Sequence, residues 1–476
     1  MTKRNYATVN PCVMCQPMGS ALAFKGIENT MVLYHGSQGC STYMRLHLAH
    51  HFREPVDIAS SSLSEKGAVY GGTESLKKGL RNVINRYKPK VIGVATTCLA
   101  ETIGDDVPAI IREFKEEEGI GDDPEKDIII IPVSTPSYGE SHVSGYIKAL
   151  DAVVRKFAET PDDEKFVKVP NGQLNLIPVE SLSPADVREI KEILGVMAGD
   201  YIFLPDISET FDAPLRDDLP KIAHGGTKLS QIEDMPNSRA SLGLGIVSKN
   251  LALEYLEESH CVPGYNVPIP IGLSNTDSFF TELVKILGCP IPEKYQKERG
   301  RLLDAMVDVH KYLYGVKAAV YGDPDTVFSL TTFMLELGMN PVLVATGSKS
   351  RDFEAKIRQI FEEIRPELEP VVLNGIDFDS LNDAVSEFNP EILIGNSNGR
   401  YIAKARDIPL VRVGLPIHDR VGAQRILTVG YKGSLELLDR ITNSILEATD
   451  TFTAPMKPES ELYVNKGAEE ECIEGM

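Results

Sequence analysis

Residues 30–52 read TMVLYHGSQGCSTYMRLHLAHHF, and they contain the fold in miniature. The run TMVLY is apolar with little alternation, the turn HGSQGC carries two glycines, and a helical pattern fills 42–52. A strand that is apolar on both sides is buried on both faces, as in a parallel sheet. Strand, turn and helix together make the repeating step of a doubly wound α/β domain.

Working outward, the same step recurs. Strands are predicted at 30–34, 56–60, 91–96 and 127–133, with helices at 42–52, 74–87 and 106–118. The middle section is less regular, with strands at 174–179 and 201–205 around a helix at 184–196. Ser183 reads as the N-cap of that helix and Pro184 as its first residue. Residues 206–236 are rich in Asp, Pro and Gly and read as a long ordered loop. Strands at 317–321, 340–345, 370–373, 392–395 and 410–413 follow, with helices such as 326–337 and 351–364. The polar, acidic tail after Ala454 reads as extended. The expectation is α/β, with three Rossmann-like doubly wound parallel-sheet domains at 1–160, 161–295 and 296–476. The chain has 476 residues, which agrees with about 150 per domain.

Composition narrows the function. A 42% hydrophobic and 25% charged content is that of an ordinary soluble protein. Lys and Arg number 49 against 69 Asp and Glu, a formal charge of −20. That balance argues against nucleic-acid or anionic-membrane partners, which attract clustered Lys and Arg. No window nears the ~18 apolar residues of a bilayer span. The start, MTKRNYATVNPCVMC, lacks the apolar core of a secretory signal, so a cytoplasmic protein is expected.

The seven cysteines are Cys12, Cys15, Cys40, Cys98, Cys261, Cys289 and Cys472, and they do not form a disulfide framework. Four fall in the first hundred residues. In an open parallel sheet, ligands gather beyond the carboxyl ends of the strands. Cys40 ends HGSQGC, Cys98 ends VIGVATTC and Ser137 lies in STPS, each just past a predicted strand. Gly36 and Gly39 leave backbone room for a bulky group. Cys15, in NPCVMCQP, can fold over the same edge from the N-terminal arm. Sulfur-rich ligation suits an iron–sulfur cluster or zinc. Only one C-x2-C pair is present, which suits structural zinc less well. The remaining reading is of small thiols packed under loops.

Other signals are weaker. Cys12 reads as a passenger beside Cys15. His47, His50 and His51 follow helical spacing, which divides them between core and solvent. Asp105 and Asp106 stand at a helix start, where carboxylates offset the backbone dipole. Gly347, Ser348, Lys349 and Ser350 resemble a phosphate loop only faintly, because the full G-x-x-x-x-G-K-[ST] is missing.

Five stretches carry a family resemblance: CQPMGSALAFKGIE (15–28), HGSQGCSTYMRLHLAHHFREPV (35–56), SEKGAVYGG (64–72), ATTCLAETIGDD (95–106) and STPSYGESHVSG (134–145). Together they resemble the β-type chain of nitrogenase component 1. Looser matches follow in GGTK, ERGRLLDAMVD, VYGDPD and VGYKGSLEL. The resemblance implies an α-type partner chain in an α2β2 tetramer, with an iron–sulfur cluster shared across the α–β interface. It implies that Cys15, Cys40 and Cys98 bind that cluster, of the 8Fe–7S P-cluster type, with Gly39 beside it. A 4Fe–4S form could use the same junctions. Ser137 would join when the cluster is oxidised. An ATP-dependent 4Fe–4S reductase protein would dock over Tyr70 and Ile103. The substrate-reducing metallocluster would lie on the α-type chain, so no catalytic residue is expected here.

The branch stays open between two readings. One is a reductase subunit, of nitrogenase or a nitrogenase-like enzyme such as methylthio-alkane reductase. The other is the β-like half of the scaffold that matures the iron–molybdenum cofactor. The stretch 396–425, NSNGRYIAKARDIPLVRVGLPIHDRVGAQR, resembles the scaffold and nitrogenase-like branches. A third reading, a binding module that keeps the fold without a cluster, conflicts with the three cysteines.

Overall fold

A computed structural model describes residues 13–121, 127–159, 166–215, 217 and 220–450. Cys12, Cys472 and the tail after Ala454 lie outside the described residues.

Three sheets form, and every strand pairs in parallel with its neighbours. The first contains β1 (Thr30–His35), β2 (Ile58–Ser60), β3 (Val91–Thr96) and β4 (Ile129–Val133), in the order β2-β1-β3-β4. The second repeats that order with β5 (Leu174–Pro178), β6 (Tyr201–Phe203), β7 (Ala240–Leu244) and β8 (Gly264–Val267), as β6-β5-β7-β8. The third holds β9 (Lys317–Gly322), β10 (Asn340–Thr346), β11 (Val371–Asn374), β12 (Ile392–Gly395) and β13 (Leu410–Arg412), in the order β11-β10-β9-β12-β13. The expected α/β class with three doubly wound sheets is what the chain adopts.

Burial explains the strand sequences. Every residue of β1, β3, β5 and β7 is buried, so none of these strands needs a polar face. One apolar core runs through all three units, from Phe24 and Phe52 through Phe211 and Phe280 to Phe353.

Some boundaries differ from the sequence reading. The helix expected at 42–52 begins at Gln38, so Cys40 lies in its first turn. Cys98 likewise opens the short helix Cys98–Ile103. The strand expected at 56–60 shrinks to Ile58–Ser60, because the Val56 carbonyl accepts from Arg45 Nε at 3.1 Å. The loop expected over 206–236 ends in the helix Leu229–Asp234 and a 3-10 turn, Met235–Asn237. Ser183 caps its helix as expected: its Oγ accepts from the Asp186 amide at 3.0 Å, and Pro184 follows.

Candidate metal centre

In the first sheet the direction of winding reverses between β1 and β3, and the crevice beyond those strand ends is where an open sheet takes its ligand. Thr30 pairs with Val91 and His35 with Thr96, so the two strands finish level. Their following turns carry Cys40 and Cys98. The turns touch closely: a Cβ on Gly36 would lie 1.8 Å from Thr97 Oγ1. Gly36 therefore serves to close two turns on each other, not to admit a ligand as the sequence reading had it. Gly39 does face open space: among the described residues, apart from its chain neighbours and its own helix backbone, Ser37 Oγ at 3.9 Å is the nearest atom to its would-be Cβ.

Ser137, in the loop after β4, joins this edge to the N-terminal arm. Its amide donates to Cys98 Sγ at 3.3 Å, and its Oγ accepts from the Gln16 amide at 3.0 Å. Cys15 precedes the helix Gln16–Lys25 and is exposed, as is Cys98, while Cys40 is half-buried. Partial burial of its sulfur raises the Cys15 thiol pKa, the Ser137 hydroxyl lowers it, and the charges of Cys98 and Cys40 raise it again. Cys15 therefore lies within electrostatic reach of both Cys98 and Cys40. Beneath them Tyr34 is fully buried and donates its hydroxyl to the Pro17 carbonyl at 2.6 Å.

Cys15, Gly39 and Cys40 line a cavity of about 950 Å³, walled on the far side by Phe378, Tyr401 and His418 of the third unit. Among the described residues, no group of three or more His, Cys, Asp or Glu converges tightly enough to hold a single metal ion. Gln16 Oε1 and Thr97 Oγ1, adjacent in sequence to Cys15 and Cys98, are buried and find no hydrogen-bond partner among the described residues. Three thiols at one sheet edge, none converging with its neighbours on a single-ion site, suit a group of several atoms better than one ion.

The other expected residues take different roles. Tyr70 is 82% exposed at the end of the helix Glu65–Tyr70, and Ile103 is half-buried at the end of Cys98–Ile103. Those two helices pack against each other. Asp106 caps the helix Val107–Glu118 by accepting from the Ala109 amide at 3.0 Å. Asp105 does not cap that helix. It takes up His35 Nε2 at 2.9 Å and the Gly72 amide at 3.0 Å. Of the three helical histidines, His51 is buried and accepts from the Ile417 amide at 2.9 Å, while His47 and His50 face His418. Ser348 is buried, in hydrogen-bond contact with Ser141 at 2.7 Å.

The three wholly parallel sheets, with Cys40 and Cys98 just past the switch point of the first, agree with what the family comparison shows. The chain belongs to the nitrogenase component 1 type oxidoreductases, whose family model matches residues 15–446. It is a β-type subunit of an oxidoreductase complex of the nitrogenase kind. The nitrogenase molybdenum-iron protein beta chain of Methanococcus maripaludis is 42% identical over 452 residues, covering 94% of this chain and 96% of that relative. The corresponding beta chain of Clostridium pasteurianum is 37% identical over 447 residues, covering 94% and 95%. Among solved structures, one described as nitrogenase Cp1 at pH 6.5 superposes with a TM-score of 0.89 at 36% identity, over 96% of this chain and 97% of that one. Among the described residues, no helix is long and apolar enough to cross a membrane.

Proposed function

We propose that this chain is the electron-relay β subunit of a nitrogenase-like reductase, built as an α2β2 tetramer in the cytoplasm. In this reading Cys15, Cys40 and Cys98 hold an interface iron–sulfur cluster of the P-cluster, 8Fe–7S type. Ser137 stands by as an oxygen ligand, and the α-type chain supplies the remaining ligands. The chain is cut near residues 160 and 295 into its three units, the first carrying both the thiols and the docking face.

The observation that carries this reading is the Ser137 link, which ties the Cys15 arm and the Cys98 turn to one edge of the first sheet. The bound group would supply a store of electrons between an ATP-dependent 4Fe–4S reductase and the partner's metallocluster. The chain's own work is to present three sulfurs, exclude water beneath them with Tyr34 and Phe24, and offer Tyr70 and Ile103 to the reductase. Burial under the partner and hydrogen bonds to sulfur then tune the potential.

Anaerobic purification with the co-encoded α-type chain tests this, followed by iron and sulfide counting and EPR. The expected result is the iron of one 8Fe–7S cluster per αβ pair, silent in EPR when reduced by dithionite and paramagnetic when oxidised. Half that iron, with the signal of a reduced 4Fe–4S centre, would overturn the relay reading in favour of the cofactor-assembly scaffold. Residues 396–425 resemble the scaffold and the nitrogenase-like branches alike, so the iron count is what separates the two readings.

A further inference from the structure

The second sheet reverses between β5 and β7 and the third between β9 and β12, so each offers its own crevice. Both meet the turn Asp323–Thr326. Asp325 accepts from the amides of Ile246, Val247 and Ser248, just past β7, at 2.6, 2.7 and 2.9 Å. Glu180, just past β5, accepts from the amides of Asp325 and Thr326 at 2.7 and 3.0 Å. The turn after β9 thus occupies the crevice of the second sheet.

The same turn reaches the first unit. Asp323 Oδ2 lies 3.0 Å from Nε2 of His142, whose side chain is 5% exposed. The His142 amide donates to the Met14 carbonyl at 3.0 Å, and His142 Nδ1 accepts from the Met14 amide at 3.4 Å. Nδ1 faces a donor, so the ring proton is assigned to Nε2, which donates to Asp323. Met14 is the residue before Cys15.

We infer that His142 is a positioning residue for Cys15, fixing the arm that carries this thiol to Asp323 and hence to the turn where the three sheets meet. The arm's helix has separate anchors. The Gln16 side-chain amide donates to Glu140 and to Ser144 at 2.5 and 2.9 Å, and Gly19 packs against the His142 backbone. Those contacts, and the backbone bond from the His142 amide to the Met14 carbonyl, survive loss of the imidazole, so its specific share is the Met14 amide and the link to Asp323. The consequence for a cluster rests on the reading of Cys15 as a ligand; the position of the thiol does not.

The test is limited alkylation of the full chain expressed alone and freed of metal, with rates at Cys15, Cys40 and Cys98 resolved by peptide mass spectrometry. His142→Ala and Asp323→Ala should each raise the Cys15 rate about tenfold relative to Cys98, with no further rise in the double variant. Asp323→Asn, whose amide oxygen still accepts from Nε2, should stay near the parent rate, and a rise there as large as in Asp323→Ala would overturn the inference. If an alanine variant fails to fold, His142→Gln, which cannot keep both imidazole contacts, replaces it and should raise the Cys15 rate. An unchanged Cys15 rate in both alanine variants would overturn the inference, as would an equal rise at all three cysteines. In the assembled complex, His142→Ala should also shift the cluster's midpoint potential with iron retained. A parent complex without a cluster would remove the function proposed above while leaving the thiol result to stand.

Discussion

Cys98 is the thiol on which most depends, because the Ser137 amide points at it and it opens the helix that ends at Ile103. Cys98→Ala should strip the cluster or leave a smaller one, and should separate the α and β chains on size exclusion, since the shared cluster also staples them. A stable, fully active Cys98→Ala tetramer would sink the assignment. Ser137→Ala should be milder, altering the oxidised EPR state and loosening the Cys15 arm by freeing the Gln16 amide, with the Cys98 contact kept by the backbone. A second residue-scale effect concerns acid. Burial pushes His51 down to about 3, with His418 adding repulsion. Its unfolded value is ~6.5, so folding keeps it neutral, and its contribution is complete above that pH. The contribution is then lost progressively as pH falls from ~6.5 toward 3, by up to roughly 1.4 kcal/mol per pH unit. Urea midpoints at pH 5 and 7.5 should therefore differ less in His51→Gln than in the parent chain. Equal pH slopes would show that His51 titrates freely. The positions of Cys40 and Cys98 just past β1 and β3 were legible in the sequence because both directly follow apolar runs. Asp105 was misread as a cap because its partner, His35, lies seventy residues earlier, and proximity to a helix start was the only local signal.

Among the elements, legibility followed burial on both faces. The strands of the first and third sheets announce themselves as apolar runs such as VIGVAT and ILIG. β7 (ASLGL) is interrupted by Ser241 and Gly243, and β8 (GYNV) has two exposed residues, so neither resembles a buried strand. The helix Gln16–Lys25 was missed for the opposite reason. All ten of its residues are buried, so it shows no polar face and no 3.6-residue stripe. Its fit against the helix His142–Ala158 relies on two glycines. A Cβ on Gly19 would lie 1.7 Å from the His142 carbonyl oxygen, and one on Gly145 would lie 2.0 Å from that of Gln16. Gly19→Ala must push the helices apart, and should cost about 3 kcal/mol in chemical denaturation, at the upper end of overpacking. A loss below ~0.5 kcal/mol would mean that the two helices slide freely. At the cap of the helix Pro184–Met197, Ser183 receives the Asp186 amide and donates to the Ile426 carbonyl at 2.7 Å. Ser183→Ala should cost about 1 kcal/mol or somewhat more, because it removes a cap and leaves a carbonyl of the third unit unpaired.

For the whole molecule, the sequence lists three similar units but is silent on how they meet, because the joining contacts span long separations. His142 and Asp323 are 181 residues apart, and Asp325 and Ile246 are 79 apart. The outward face raises a separate question. Tyr70 and Val69 are 82% and 75% exposed, and the proposed function assigns this apolar patch to the reductase. Tyr70→Glu should lower reductase-driven turnover by tenfold or more, as expected for an aromatic anchor, while reduction by a small chemical reductant is unchanged. Equal loss in both assays would relocate the docking face. The last expectation concerns cooperativity. With one core running through the three units and the Asp323–Thr326 turn seated in a neighbour's crevice, urea should unfold the chain in a single transition. Asp325→Ala leaves three amides of residues 246–248 without their acceptor, and their desolvation cost falls on the joint between the second and third sheets, not on either sheet's interior. The transition should then split in far-UV circular dichroism. Hydrogen exchange should quicken first in peptides covering 244–250 and 322–328, with β1 and β3 still protected. A single, merely shifted transition with uniform exchange would place the joint's strength in the apolar core and leave the carboxylate an incidental cap.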